Sequence, residues 1–142
     1  MQQFLKRLVV YPLIVFPLAV VWHVVLFEQL YIDVGYFSRE PSFLLGFLTI
    51  LIQGVVLAYL YPLVYRGGSP MSEGLRFGMV TGVFLWTSHV LAYAAKHALE
   101  SVPVFIGMET AYIFLQSLLV GAAIGLAHGT GSSVSVDGRQ EA

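Results

Sequence analysis

Four long apolar runs punctuate the chain, at residues 8–27, 43–65, 75–95 and 104–127. Each has about the 20 residues that a helix needs to cross a hydrocarbon layer roughly 30 Å thick. The connections are short and polar: 28–42, acidic and carrying Arg39 and Pro41; 66–74, "RGGSPMSEG"; and 96–103, "KHALESVP". Connections of this length make consecutive helices antiparallel neighbours. The pattern therefore predicts an all-α fold over residues 1–129, an integral membrane bundle of four antiparallel transmembrane helices. Residues 130–142, "TGSSVSVDGRQEA", are rich in serine and glycine and predict a flexible polar tail.

Helix boundaries carry their own signals. Ser69-Pro70 suits an N-cap followed by the first helical residue, and Ser101, Val102 and Pro103 open the last run in the same way. Pro17 and Pro62 fall inside runs, where each removes a backbone hydrogen bond and is expected to kink the helix. Lys6 and Arg7 precede the first run as they would in a secretory signal. That run is longer than the usual signal core of about 7–15 residues and lacks a small-x-small cleavage site, so a retained helix is expected.

Composition sharpens the choice of solvent. The chain is 58% hydrophobic and 11% charged, against roughly 25% charged in soluble domains, so most of its outer surface is expected to face lipid. The net charge of −1 offers no footprint for nucleic acid, and the absence of cysteine excludes disulfides, thiolate metal sites and cysteine nucleophiles. Basic residues in short loops set orientation. An inside N-terminus collects Lys6, Arg7, Arg66, Arg76 and Arg139 on the cytoplasmic side and leaves Arg39 and Lys96 outside. The expectation is a multi-pass protein of the inner (plasma) membrane with both termini cytoplasmic.

Two stripes of small residues predict where helices meet. Gly74, Gly78 and Gly82 recur at four-residue spacing on the third run, and Ser117, Gly121 and Gly125 do so on the fourth. Such stripes let membrane helices approach closely. Both occupy the cytoplasmic halves of their helices, so they are expected to face one another.

The polar residues inside the runs are the candidate chemistry. At about 1.5 Å per residue, His23, His89 and Glu109 each lie about 7–10 Å below the outer boundary, on three different helices. Intramembrane ionisable groups pair, neutralise or line a wet cavity. Gly78, Gly82, Trp86, His89 and Tyr93 follow one helical face, so His89 is expected to continue the packing stripe. Glu109, Tyr112 and Gln116, with Val120, form a polar stripe on the fourth run, and Thr49 and Gln53 add a polar edge on the second. The candidate ligand or ion site is thus His23, His89, Glu109, Tyr93, Tyr112 and Gln116. A plain hydrogen-bonded patch that holds helices together is the competing reading of the same residues. Lys96 and His97 read as rim residues, His128 as a helix C-terminal residue, and Tyr11, Tyr31, Tyr36, Phe37, Tyr59, Tyr61 and Tyr65 as an interfacial girdle.

The stretch "VVWHVVLFEQLY" closing the first run, with "EGLRFGMVTG" opening the third, resembles small bacterial four-helix membrane proteins grouped as a domain of unknown function. Over residues 8–127 the resemblance implies this architecture and a bacterial inner-membrane setting, and it assigns no site residues. The chain has no P-loop, G-x-G-x-x-G, H-E-x-x-H or G-x-S-x-G motif, and nothing in it argues for an enzyme. The leading expectation is a binding or transport module for a small cation, proton or metal. Two alternatives stand beside it: a non-catalytic structural or assembly subunit of a larger membrane complex, and a haem b protein with His23 and His89 as axial ligands. The bilayer is the expected surrounding partner, with a homo-oligomer or a larger complex as the assembled form.

Overall fold

The computed structural model describes residues 2–37 and 41–129, and the expected polar tail lies outside them. Five helices occur in order: α1 (Gln2–Leu26), α2 (Glu28–Asp33), α3 (Phe43–Val64), α4 (Pro70–Ala94) and α5 (Val102–His128). All but α2 are long and apolar enough to cross a membrane, and no strand occurs among the described residues. The spans agree with the apolar runs, except that α1 begins at Gln2 and α4 at Pro70, each several residues early.

Exposure is distributed as a lipid solvent requires. Leu13, Leu44, Val80 and Phe84 are each more than two-thirds exposed, whereas Arg7, Glu109, Gln116 and Ser117 are buried. Apolar side chains gain little by leaving hydrocarbon, so close backbone approach and hydrogen bonds hold the bundle together.

The tightest approach is between α4 and α5. A Cβ placed on Gly74 would meet the Gly121 carbonyl and stand 2.9 Å from the Gly125 Cα; one on Gly78 would stand 2.8 Å from the Gly121 Cα. Gly82 lies against the Ser117 hydroxyl, and Gly125 against the Pro70 carbonyl and Gly74. Contacts thus ascend one helix as they descend the other. Both stripes are used entirely within the chain, so an oligomer would have to use another face.

Proline shapes the packing of α1 on α3. Pro62 lacks the N–H that would bond the Ala58 carbonyl, and Arg7 Nε donates to that carbonyl at 3.1 Å. The Arg7 Nη1 group also donates to His128 Nδ1 at 2.7 Å, tying the start of α1 to the end of α5. Tyr61 and Tyr65 pack edge-on to the His128 ring. Arg7, expected on the same side as the termini, lies at that end of the bundle and is buried there. The girdle also needs correction: Tyr11, Tyr31 and Tyr61 are fully buried. Tyr11 donates to Gln53 Oε1 across the α1–α3 contact.

At the end bearing the termini, α3 and α4 meet through Tyr61 on Phe77 and a bond from Arg76 Nη2 to the Val64 carbonyl at 2.8 Å. Toward the distal end the two helices part. There the 28–42 connection is not a simple loop: α2 folds back, and Gly35, at φ +77°, turns the chain so that Tyr36 returns over the bundle. The Glu100 N–H donates to the Val34 carbonyl at 3.2 Å and joins the two distal connections.

Candidate functional site

Glu109 projects from α5 into the distal half and is completely buried. It belongs to the stripe Glu109, Tyr112, Gln116 and Val120, all four of which are buried, as the spacing requires of one helical face. A carboxylate removed from water is stable only when donors replace its hydration. Two converge on Oε1: the Tyr31 hydroxyl at 2.5 Å and His23 Nε2 at 3.0 Å.

Proton positions are set by the donors available. Trp22 Nε1–H, which can only donate, reaches the Tyr31 oxygen at 3.0 Å. The Tyr31 proton is therefore free to point at Glu109. Burial and the nearby Glu109 charge push the Tyr31 phenol up from its ordinary value, so it remains a donor. His23 Nδ1–H donates to the Ala19 carbonyl at 3.0 Å, and one further proton is shared between Nε2 and the carboxylate. The rings of Tyr31 and Tyr112 flank the imidazole, with centroids 4.7 and 4.6 Å away.

The second oxygen is different. His89 Nε2 lies 3.2 Å from Oε2, within ion-pair range but off the hydrogen-bond direction, and Oε2 has no aligned donor. His89 is 42% exposed where His23 is 13% exposed. One imidazole is thus locked behind the carboxylate and the other stands in front of it.

Both histidines sit in π-helical turns, Val21–Leu26 in α1 and Trp86–Leu91 in α4. A π turn carries an extra residue and shifts the helical phase of the residues beyond it; such turns recur at functional sites. In α4 the Thr87 and Ser88 hydroxyls bond back to the Phe84 carbonyl at 3.0 and 2.8 Å. The shift corrects the expectation that His89 continues the glycine stripe: Val90 is the fully buried residue there, and His89 turns to the side.

That side is a cleft of about 490 Å³ between the distal halves of α3 and α4. Gly46, Thr49 and Gln53 line one flank, Leu85, Ser88 and His89 the other, and Tyr112 and Gln116 lie at its base. Of the residues expected at the site, His23, His89 and Glu109 come together and Tyr112 and Gln116 adjoin them. Tyr93 does not: its hydroxyl donates to the Tyr36 carbonyl at 3.1 Å and its ring stacks on His97.

Sequence reading missed Tyr31 and Trp22. A signal was present, since Phe27, Tyr31 and Val34 follow a helical 4, 3 spacing in a segment otherwise read as loop. Among the described residues no group of three metal-ligating side chains is arranged to hold an ion. A haem iron held by His23 and His89 would have to take the place of the Glu109 carboxyl that both rings face. The chain matches no protein-family model, no curated protein and no solved structure.

Proposed function

We propose that this membrane protein is a small binding or transport module whose ion is the proton, taken up at Glu109 through His89. The observation that carries the reading is Oε2: a buried carboxylate oxygen without an aligned donor, 3.2 Å from an imidazole that borders an open cleft. A buried acceptor without a donor carries a desolvation cost, which a proton placed between Oε2 and His89 Nε2 would relieve. Of His23, His89 and Glu109, only His89 has substantial exposure, and an imidazole can both accept a proton and pass it on. His23, Tyr31 and Trp22 hold Oε1 from behind and fix the orientation of the carboxyl. The distribution of Lys and Arg supports an orientation with the terminal end in the cytoplasm, which puts the cleft on the extracytoplasmic side of the inner membrane.

Proton uptake by proteoliposomes under an imposed potassium diffusion potential, read with an internal pH dye, tests the reading. Glu109→Gln and His89→Asn should both reduce uptake to the level of protein-free vesicles. His89→Asn removes only a half-exposed group, so its fold should survive even where Glu109→Gln is damaged. Uptake unchanged in a folded His89→Asn protein would overturn the proposal.

A further inference from the structure

The terminal end of the bundle holds a buried cation whose partners among the described residues are both neutral acceptors. Arg7 is 5% exposed; its Nε donates to the Ala58 carbonyl at 3.1 Å and its Nη1 to His128 Nδ1 at 2.7 Å. Glu73, the carboxylate at the start of α4, is taken by Arg76 Nη2 at 2.7 Å and by the Arg66 N–H at 3.3 Å. Buried charges are ordinarily paired with an opposite charge. Arg7 instead depends on a carbonyl and an imidazole.

The chemistry of that pair fixes the proton on His128. A guanidinium has N–H groups and no acceptor, so it can only donate. His128 Nδ1 must therefore accept, which requires a neutral ring with its proton on Nε2. A second proton would go to Nδ1, the nitrogen that carries the lone pair. It would remove the acceptor and set an imidazolium against a guanidinium. No carboxylate is placed to offset the added charge. From α1 the ring faces Arg7, while Lys6 is exposed. From α3 it meets the rings of Tyr61 and Tyr65, with centroids 5.2 and 4.7 Å away. On α4, Phe77 packs behind Tyr61, and Glu73 and Arg76 are joined to each other.

We infer that His128 and Arg7 form a proton-sensitive latch at the terminal end, closed while His128 is neutral and released when its ring takes a second proton. The latch ties the second turn of α1 to the last residue of α5. Release frees the end of α5 from the start of α1, while the glycine seam still holds α5 to α4 and the Ala58 carbonyl still holds Arg7 to α3. In the orientation that the Lys and Arg distribution supports, this end faces the cytoplasm, so the latch reads interior pH. The inference goes beyond the proton reading and does not depend on it, because neither residue belongs to the cluster of His23, His89 and Glu109.

Two measurements on the full chain in nanodiscs test the latch. With nitrogen-15 in the histidine rings, His128 at about pH 8, above the ordinary imidazole pKa of about 6.5, should be neutral with Nδ1 bare. A proton on Nδ1 there would overturn the inference. The chain has no cysteine, so nitroxides can be placed through Gln3→Cys on α1 and Leu126→Cys on α5, both exposed positions. The narrow distance peak between them at about pH 8 should be lost to longer distances by about pH 5, on the other side of that pKa. His128→Gln, whose side-chain carbonyl accepts from Arg7 at every pH, should keep the narrow peak throughout. His89→Asn removes the imidazole of the cleft and should leave the response intact. A wild-type peak that does not change with pH would overturn the latch. So would a response that persists in His128→Gln, and one that disappears in His89→Asn would belong to the proton site instead. Should His128→Gln fail to fold, the tautomer in the wild type still decides.

Discussion

Replacing Gly78 with alanine adds one methyl group where two backbones touch. The new Cβ would stand 2.8 Å from the Gly121 Cα and closer still to the Ser117 carbonyl oxygen. Ordinary contact begins at 3.4 Å, so the first pair is roughly 0.6 Å too close. Both obstacles are backbone, which no rotamer change relieves. The helices must part along a seam that also includes Gly74, Gly82 and Gly125. Overpacking of this kind costs about 1–3 kcal/mol, and alanine recovers about 1 kcal/mol of helix propensity. The net expectation is a loss of up to about 2 kcal/mol against the native chain, and about 1–3 kcal/mol against a control site that gains the same propensity without the clash, measured by unfolding in mixed micelles of increasing sodium dodecyl sulfate. Gly46→Ala and Gly107→Ala are the controls, since a Cβ at either meets nothing within 4 Å; they should keep or gain stability. If Gly78→Ala proved as stable as the controls, the close approach of α4 and α5 would be refuted.

Tyr31→Phe removes a donor from Glu109 and strands the Trp22 indole N–H; leaving buried groups unpaired should cost about 1–3 kcal/mol in the same unfolding assay, and no measurable loss would remove Tyr31 from the site. Because the native chain lacks cysteine, single cysteines report topology cleanly: Gln29→Cys should label from the extracytoplasmic side of intact cells and Ser69→Cys only after permeabilisation. The opposite result would invert the orientation.

How much of this was legible in the sequence depended on whether a feature obeys helical period. The four spans, the facing stripes of Gly74/Gly78/Gly82 and Ser117/Gly121/Gly125, and the common depth of His23, His89 and Glu109 all come from counting along regular helices. Regular counting fails where the helix is irregular. No residue pattern announces a π turn, so the sequence places His89 on the glycine face. Arg7 was hidden for another reason: a cation near a helix start normally reaches for water. Here Pro62 frees a carbonyl fifty-one residues away in the chain, and only tertiary contact reveals it. Girdle and core tyrosines look alike in a sequence; tertiary packing separates them, burying Tyr61 against Phe77 and giving Tyr11 a partner in Gln53 and Tyr31 one in Glu109.

The π turn in α4 also explains how one helix serves two purposes. At about 100° per residue, position 89 of a regular helix falls only about 20° from Gly82, on the face that packs against α5. A histidine there would be pressed into the seam, where Gly82 already touches the Ser117 hydroxyl. The extra residue of the turn at Trp86–Leu91 passes that place to Val90, which is fully buried, and swings His89 to the edge of the cleft. The seam continues with an apolar residue and the imidazole gains exposure while its Nε2 stays 3.2 Å from Glu109. In α1 the turn at Val21–Leu26 likewise accompanies a histidine, but His23 is anchored at both nitrogens, to Ala19 and to Glu109. Hence the same local irregularity accompanies two unlike imidazoles. One has both nitrogens committed, and the other is left facing an unfilled carboxylate oxygen on one side and the cleft on the other. The proposed proton site rests on that asymmetry, because only an oxygen left without a donor beside an imidazole on the cleft has room for a further proton.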